Sequence, residues 1–217
     1  MGLDYDYRIY VKKKNLRSTM EYIFQNCEKS RSGFEFVNSD LFRLNRLHYG
    51  VERRKIENDG LNQDFDCCLI FANDDKIWEY HLNDLSEGFN PSSREELDNL
   101  STYQVDANNF WIGNIEVRVR DYTENIRDTV EISFLAVSSR MSELFRDSNS
   151  IDKFFKRLCK EVEADYGYLS KESEGYKLIW FEGRETNFEI QRNDHLQTFD
   201  KLGFIPVIKS IMDKRKL

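Results

Sequence analysis

The chain has 217 residues, 40% of them hydrophobic and 33% charged, with 10 glycines and only 2 prolines, which excludes collagen-like, mucin-like and wholly disordered chains. Its 32 basic and 39 acidic side chains leave a net charge of −7, a balance that favours solubility and makes no general case for nucleic-acid binding. A compact chain of this length buries roughly 70% of the surface its unfolded form exposes, enough for one large core or two small ones.

Tyr5, Tyr7, Ile9 and Val11 alternate with Asp4, Asp6, Arg8 and Tyr10, the period of a strand with one inward face. Met20, Ile23, Phe24 and Cys27 then fall on one stripe of a helix across roughly 17–29, for which Asn15 and Ser18 are candidate caps, with Ser18 and Glu21 spaced as a capping box. Ser30 to Gly33 ends it, and Phe34–Val37 and Leu41–Leu47 are two further candidate strands. After a polar stretch, the apolar run Phe65–Phe71, the turn residues Asn73–Lys76 and the segment Ile77–Leu82 read as a β-hairpin. Residues 83–109 are the most linker-like part of the chain, with a short helix starting at Pro91 and reaching about Leu100.

Beyond residue 107 the patterns are sharper. Ile115, Val117 and Val119 alternate with charged residues as a strand with one wet face. Asp128–Ser138 is apolar on one parity and, through Leu135 and Val137, partly on the other, so it predicts a central strand. Ser142 opens a short helical piece. Ile151, Phe154, Phe155, Leu158, Cys159, Val162 and Tyr166 share one side only at a 3.6-residue period, predicting a helix capped by Ser150 and stopped by Gly167. Tyr168–Leu169 and Tyr176–Phe181 form a hairpin around Glu172–Gly175, with Phe188 and Ile190 on an added edge strand. The end, from Pro206, docks through Val207, Ile208, Ile211 and Met212.

The fold class that follows is α+β: mainly antiparallel sheets with one principal helix packed on them in each half. The preferred division is an N-terminal α+β domain over 1–106, carrying an acidic segment 57–106, and a C-terminal α+β domain over 107–217. One continuous domain over 1–217 is the alternative.

No motif identifies a chemistry. Cys27, Cys67, Cys68 and Cys159 lack the spacing of a zinc or redox site and read as small buried hydrophobes. There is no phosphate-binding glycine loop and no GxSxG elbow. The expectation is therefore no cofactor and no metal. Candidates for an enzyme are limited to Asp64 and Asp66, which share one face of a strand, with His81 and His195. No N-terminal secretory pattern is present, and the longest apolar runs are far too short to span a bilayer, so the expected location is cytoplasmic, with no membrane partner.

Charge is unevenly spread: residues 1–55 carry net +5, 57–106 carry −11 and the remainder −1. Lys12, Lys13, Lys14 and Arg17, and then Arg43, Arg46, Arg53, Arg54 and Lys55, are basic clusters close in sequence to tyrosines, the feature behind a nucleic-acid-binding alternative. The stronger hint is aromatic residues among acids. Trp78, Glu79, Tyr80, Asp84, Glu87 and Trp111 would present two apolar anchors and a carboxylate rim to a basic protein partner. A small, acidic chain with no evident catalytic set resembles, in size and charge, the bacterial immunity and antitoxin-like proteins that neutralise a toxin stoichiometrically. That resemblance implies a protein-binding inhibitor; a small-substrate or nucleotide-processing enzyme and a nucleic-acid-binding module through the first 55 residues are the alternatives.

Overall fold

The computed structural model describes residues 4–28, 34–36, 42–44, 62–86, 104–123, 126–191 and 204–215. Strand β1 (Asp6–Lys12) leads through a single 3-10 turn into helix α1 (Leu16–Gln25). The short strands β2 (Phe34–Phe36) and β3 (Phe42–Leu44) pair with each other. Next come β4 (Gln63–Cys67), β5 (Ile70–Ala72), helix α2 (Asp75–Ser86), β6 (Gln104–Asp106), β7 (Asn109–Trp111), β8 (Ile115–Asp121) and β9 (Thr129–Leu135). Two consecutive helices, α3 (Ser139–Asp147) and α4 (Asn149–Glu161), precede β10 (Tyr166–Ser170), β11 (Gly175–Phe181), β12 (Arg184–Gln191) and helix α5 (Phe204–Arg215).

Seven strands form one sheet in the order β12-β11-β10-β1-β9-β8-β4, antiparallel at every step. A smaller antiparallel sheet has the order β5-β7-β6. The fold is thus α+β with mainly antiparallel sheets. β1 and β4 come from before residue 107, yet they lie in one sheet with strands from after it.

One face of the large sheet is apolar. Tyr7, Ile9 and Val11 of β1, Val130, Ile132 and Phe134 of β9, and Ile115 and Val117 of β8 meet Met20 and Ile23 of α1 and the apolar sides of α3 and α4 in one core. Burying Ile151, Phe154, Phe155 and Leu158 of α4 is worth roughly 6–12 kcal/mol by transfer estimates. Tyr7 stacks on Phe155 at 3.9 Å and donates its hydroxyl to the Phe145 carbonyl at 3.1 Å. On the opposite face, Ile205, Val207, Ile208 and Met212 of α5 cover Tyr10, Tyr166, Tyr168, Leu178 and Ile190 in a second cluster.

Several local expectations are corrected. Ile77–Leu82 is not the return strand of a hairpin but part of α2. Its stripe of Ile77 and His81, four apart, is met by the core as one helical turn. The partner strand of β5 is β7, which begins at the last residue of the stretch that reads as linker, and β6 lies within that stretch. Of the two candidate caps of α1, Ser18 is not the one used. Asn15 occupies that position, and its carbonyl accepts from the Ser18 and Thr19 hydroxyls, at 2.9 and 2.7 Å. α3 is capped by Ser138, leaving Ser142 buried within it, and α4 by Ser148 rather than Ser150. Gly167 does not stop α4. The helix closes at Glu163, which takes φ 52°, with Ala164 N–H donating to the Cys159 carbonyl at 2.8 Å and Glu163 N–H to that of Lys160 at 3.3 Å. Tyr166, read as the last member of the helical stripe, belongs to β10. The second side of β1 is only partly wet, because its central place buries Asp6 and Tyr10 and leaves only Arg8 and Lys12 half-buried. β9 is central as its pattern predicts, but Glu131 and Ser133 line its second face, and Val137 lies beyond the strand, exposed. The strand readings at 34–37 and 41–47 meet β2 and β3 in part; the helix read from Pro91 lies outside the described residues.

Candidate functional site

Asp74 sets the position of α2. Its Oδ1 accepts the Ile77 N–H at 2.9 Å, as an N-cap should, while Oδ2 accepts the Ser148 hydroxyl at 2.7 Å and the Ser150 N–H at 2.9 Å. One carboxylate therefore serves the start of α2 and the start of α4, and draws the end of α3 to the same point. Burial opposes the charge, but the hydrogen bonds from Ser150, Ile77 and Ser148 outweigh it and hold the Asp74 carboxyl below its ordinary range.

With 100° between successive helical residues, the buried Ile77 and His81 fix which flanks of α2 face out. His81 stacks on Phe110 with ring centroids 5.6 Å apart. Trp78 lies on one flank, edge-on to Phe110 at 6.1 Å, and is 40% exposed. Lys76 and Tyr80 lie on the other flank, with the exposed Glu79 on the ridge between. The turn between β6 and β7 is held against the start of α2 by the Asn73 N–H donating to the Asn108 carbonyl at 2.7 Å. That turn brings Asp106, whose carboxyl is held low by hydrogen bonds from Asn108 and Asn109, and the exposed Val105.

The second flank of α2 faces α3 across an open cleft of about 180 Å³, lined by Lys76, Glu79, Tyr80, Arg140, Glu143, Leu144 and Asp147. The α3 members recur at intervals of three and four, one helical face. Arg140 crosses the cleft to donate to the Tyr80 carbonyl at 3.0 Å, and its guanidinium lies 5.3 Å from that ring's centroid. Lys76 is paired with Glu79 at 2.7 Å. Arg146 grips both oxygens of Asp147, at 2.8 and 2.9 Å, and holds that carboxyl low against the opposing effect of burial.

The residues read from the sequence as one binding surface are therefore divided. Trp78, Glu79 and Tyr80 share the outward part of α2. Trp111, 8% exposed, belongs to β7 and is buried, so it is not an accessible anchor. Asp84 lies in the last turns of α2, and Glu87 lies outside the described residues. The acids of the middle segment also divide. Asp75 and Glu79 share α2 with Trp78, whereas Asp64 and Asp66 project from β4 on the side of the large sheet opposite Phe65 and the helical core.

The enzyme candidates are not brought together. Asp64 pairs with Arg120 at 2.5 Å on that sheet face, His81 is buried on the helical side, and His195 lies outside the described residues. Among the described residues, no three His, Cys, Asp or Glu side chains converge as metal ligands. The four cysteines are buried and none is in a disulfide. Of the first basic cluster, Lys12 pairs with Asp165 at 2.9 Å, Lys13 with Asp121 at 2.8 Å and Arg17 with Glu21 at 3.1 Å, so three of its four charges are already matched. Of the second cluster, Arg43 falls in β3, and the others lie outside the described residues.

One polar constellation is missed by sequence reasoning. At the middle of the large sheet, Arg8 bonds to Asp6 and stands 3.8 Å from Glu131, which accepts from Tyr10 at 2.5 Å and from Ser133 at 3.0 Å. The Tyr10 and Tyr168 hydroxyls meet at 3.2 Å. Burial pushes the Asp6 carboxyl up, against the pull of Arg8, and pushes both tyrosine hydroxyls well above their usual range. The network spends its hydrogen bonds within the sheet and joins three strands. Its only sequence signal is the polar parity of β1 and β9, which means nothing until the register Arg8↔Ser133 and Tyr10↔Glu131 is known.

Fold and site together describe an α+β protein whose helix α2 offers an exposed tryptophan on one flank and a charged cleft on the other. No protein-family model, curated protein or solved structure matches the chain. Among the described residues, no helix is long and apolar enough to cross a membrane.

Proposed function

We propose that this chain is a stoichiometric protein-binding protein that presents α2 to a basic partner, in the manner of an immunity or antitoxin-like inhibitor acting in the cytoplasm. The observation that carries the reading is Trp78. It is 40% exposed, with Asp75 and Glu79 on the same helix, while Trp111 and Trp180 are 8% and 7% exposed. Tryptophan is among the residues most enriched at energetic centres of interfaces, and surrounding carboxylates steer and select a basic partner.

Affinity capture from native lysate, followed by mass spectrometry, tests the reading by seeking a partner at fixed stoichiometry. Trp78→Ala should weaken the complex by about 2 kcal/mol or more, the usual size of an interface hot spot. Glu79→Lys should slow association and flatten its dependence on salt. A complex indifferent to Trp78→Ala in a folded protein would overturn the assignment.

A further inference from the structure

We infer, resting on the protein-binding reading above, that the cleft between α2 and α3 receives one arginine side chain of the partner, held by Glu143. At about 180 Å³ the cleft is smaller than the roughly 300–1,000 Å³ of cofactor and small-molecule pockets, so its size suits a single side chain. The charges on its walls are unevenly committed. Lys76 is closed on Glu79 at 2.7 Å, Arg140 on the Tyr80 carbonyl at 3.0 Å, and Asp147 on Arg146 at 2.8 Å. Glu143 is exposed and makes no ion pair or hydrogen bond among the described residues.

An incoming cation therefore meets one carboxylate that no cation has taken, between two that are already paired, whereas an incoming anion meets Lys76 closed on a carboxylate and Arg140 held on a carbonyl. Buried Leu144 beneath Glu143 offers apolar surface to a methylene stem. A guanidinium can take both oxygens of a carboxylate at once, which a point-charge ammonium cannot.

The test is an amide-resolved NMR titration of the full chain with N-acetyl-arginine amide, run beside N-acetyl-citrulline amide, which has the same shape without the charge. The expected result is saturable shifts at Glu79, Glu143 and Asp147 with the arginine probe, lost with citrulline and lost in Glu143→Gln. Absence of saturation, equal response to citrulline, or a response unchanged in Glu143→Gln overturns the inference. The captured complex separates this claim from the one beneath it. Weakening by Trp78→Ala with no arginine response removes the cleft and leaves protein binding in place. Weakening by Glu143→Gln but not by Trp78→Ala keeps the cleft and removes the tryptophan anchor.

Discussion

Gly167 stands in β10 where α4 crosses the sheet. A methyl group built there would meet the Cys159 sulfur at 2.6 Å and the Trp180 Cβ at 3.3 Å. The glycine is required by the close approach of helix to strand, which is a different role from ending a helix. Gly167→Ala should therefore destabilise the protein by about 1–3 kcal/mol, the usual size of overpacking in a core. Chemical denaturation measures it, and adding Cys159→Ala should recover part of the loss; a neutral Gly167→Ala would contradict the packing. Trp78 and Trp111 make the same point in reverse. They are the same residue type, and only their elements decide that one is exposed and the other buried.

At the scale of elements, the ends of the helices hold the molecule together at defined points. The closing turn of α4 uses Glu163 in the left-handed region, φ 52°, where a side chain costs energy that glycine does not. Glu163→Gly should raise stability by up to about 1 kcal/mol, less the entropy that glycine adds to the unfolded chain; a higher midpoint in a thermal melt checks this. Asp74 has the opposite standing. Asp74→Ala removes the cap of α2 and the tie to α4 together, so it should cost at least the 0.5–2 kcal/mol typical of one cap. The lowered carboxyl also gives a pH dependence of known sign. Its contribution is complete above the ordinary value of 3.8 and is lost as pH falls through the lower folded value. Between neutral pH and the acid range, wild type should lose more stability than Asp74→Asn. Equal slopes of denaturation free energy against pH would reject that assignment.

At the scale of the molecule, β1 is paired with β9 on one side and β10 on the other. Residues 107–217 alone would keep β9 and β10 but lose the strand between them, opening two edges and removing Tyr7, Ile9 and Val11 from the core. The fragment 107–217 should show no cooperative unfolding transition by itself and should regain one when mixed with 1–106. A cooperative transition in the isolated fragment would establish an independent C-terminal domain.

Much of this architecture was legible in order. The alternation in β1, β8 and β9 and the helical stripe of α4 carry strong single periods, because long elements repeat their contact with a core several times. The candidate site was less legible. Ile77, Trp78 and Leu82 around polar residues fit a strand or a helix over so short a span, and Trp111 carries no local sign of burial.

Local periodicity by itself therefore determined the class of the fold, the central place of β9 and the face each long element buries, since these follow from backbone geometry and the removal of apolar surface from water. Only the tertiary structure decided that α2 is a helix, that Trp78 alone of the tryptophans faces out, and that Glu143 borders a cleft. Those outcomes depend on contacts between residues far apart in the chain, such as Asp74 with Ser148 and Ser150, which no local pattern of residues encodes.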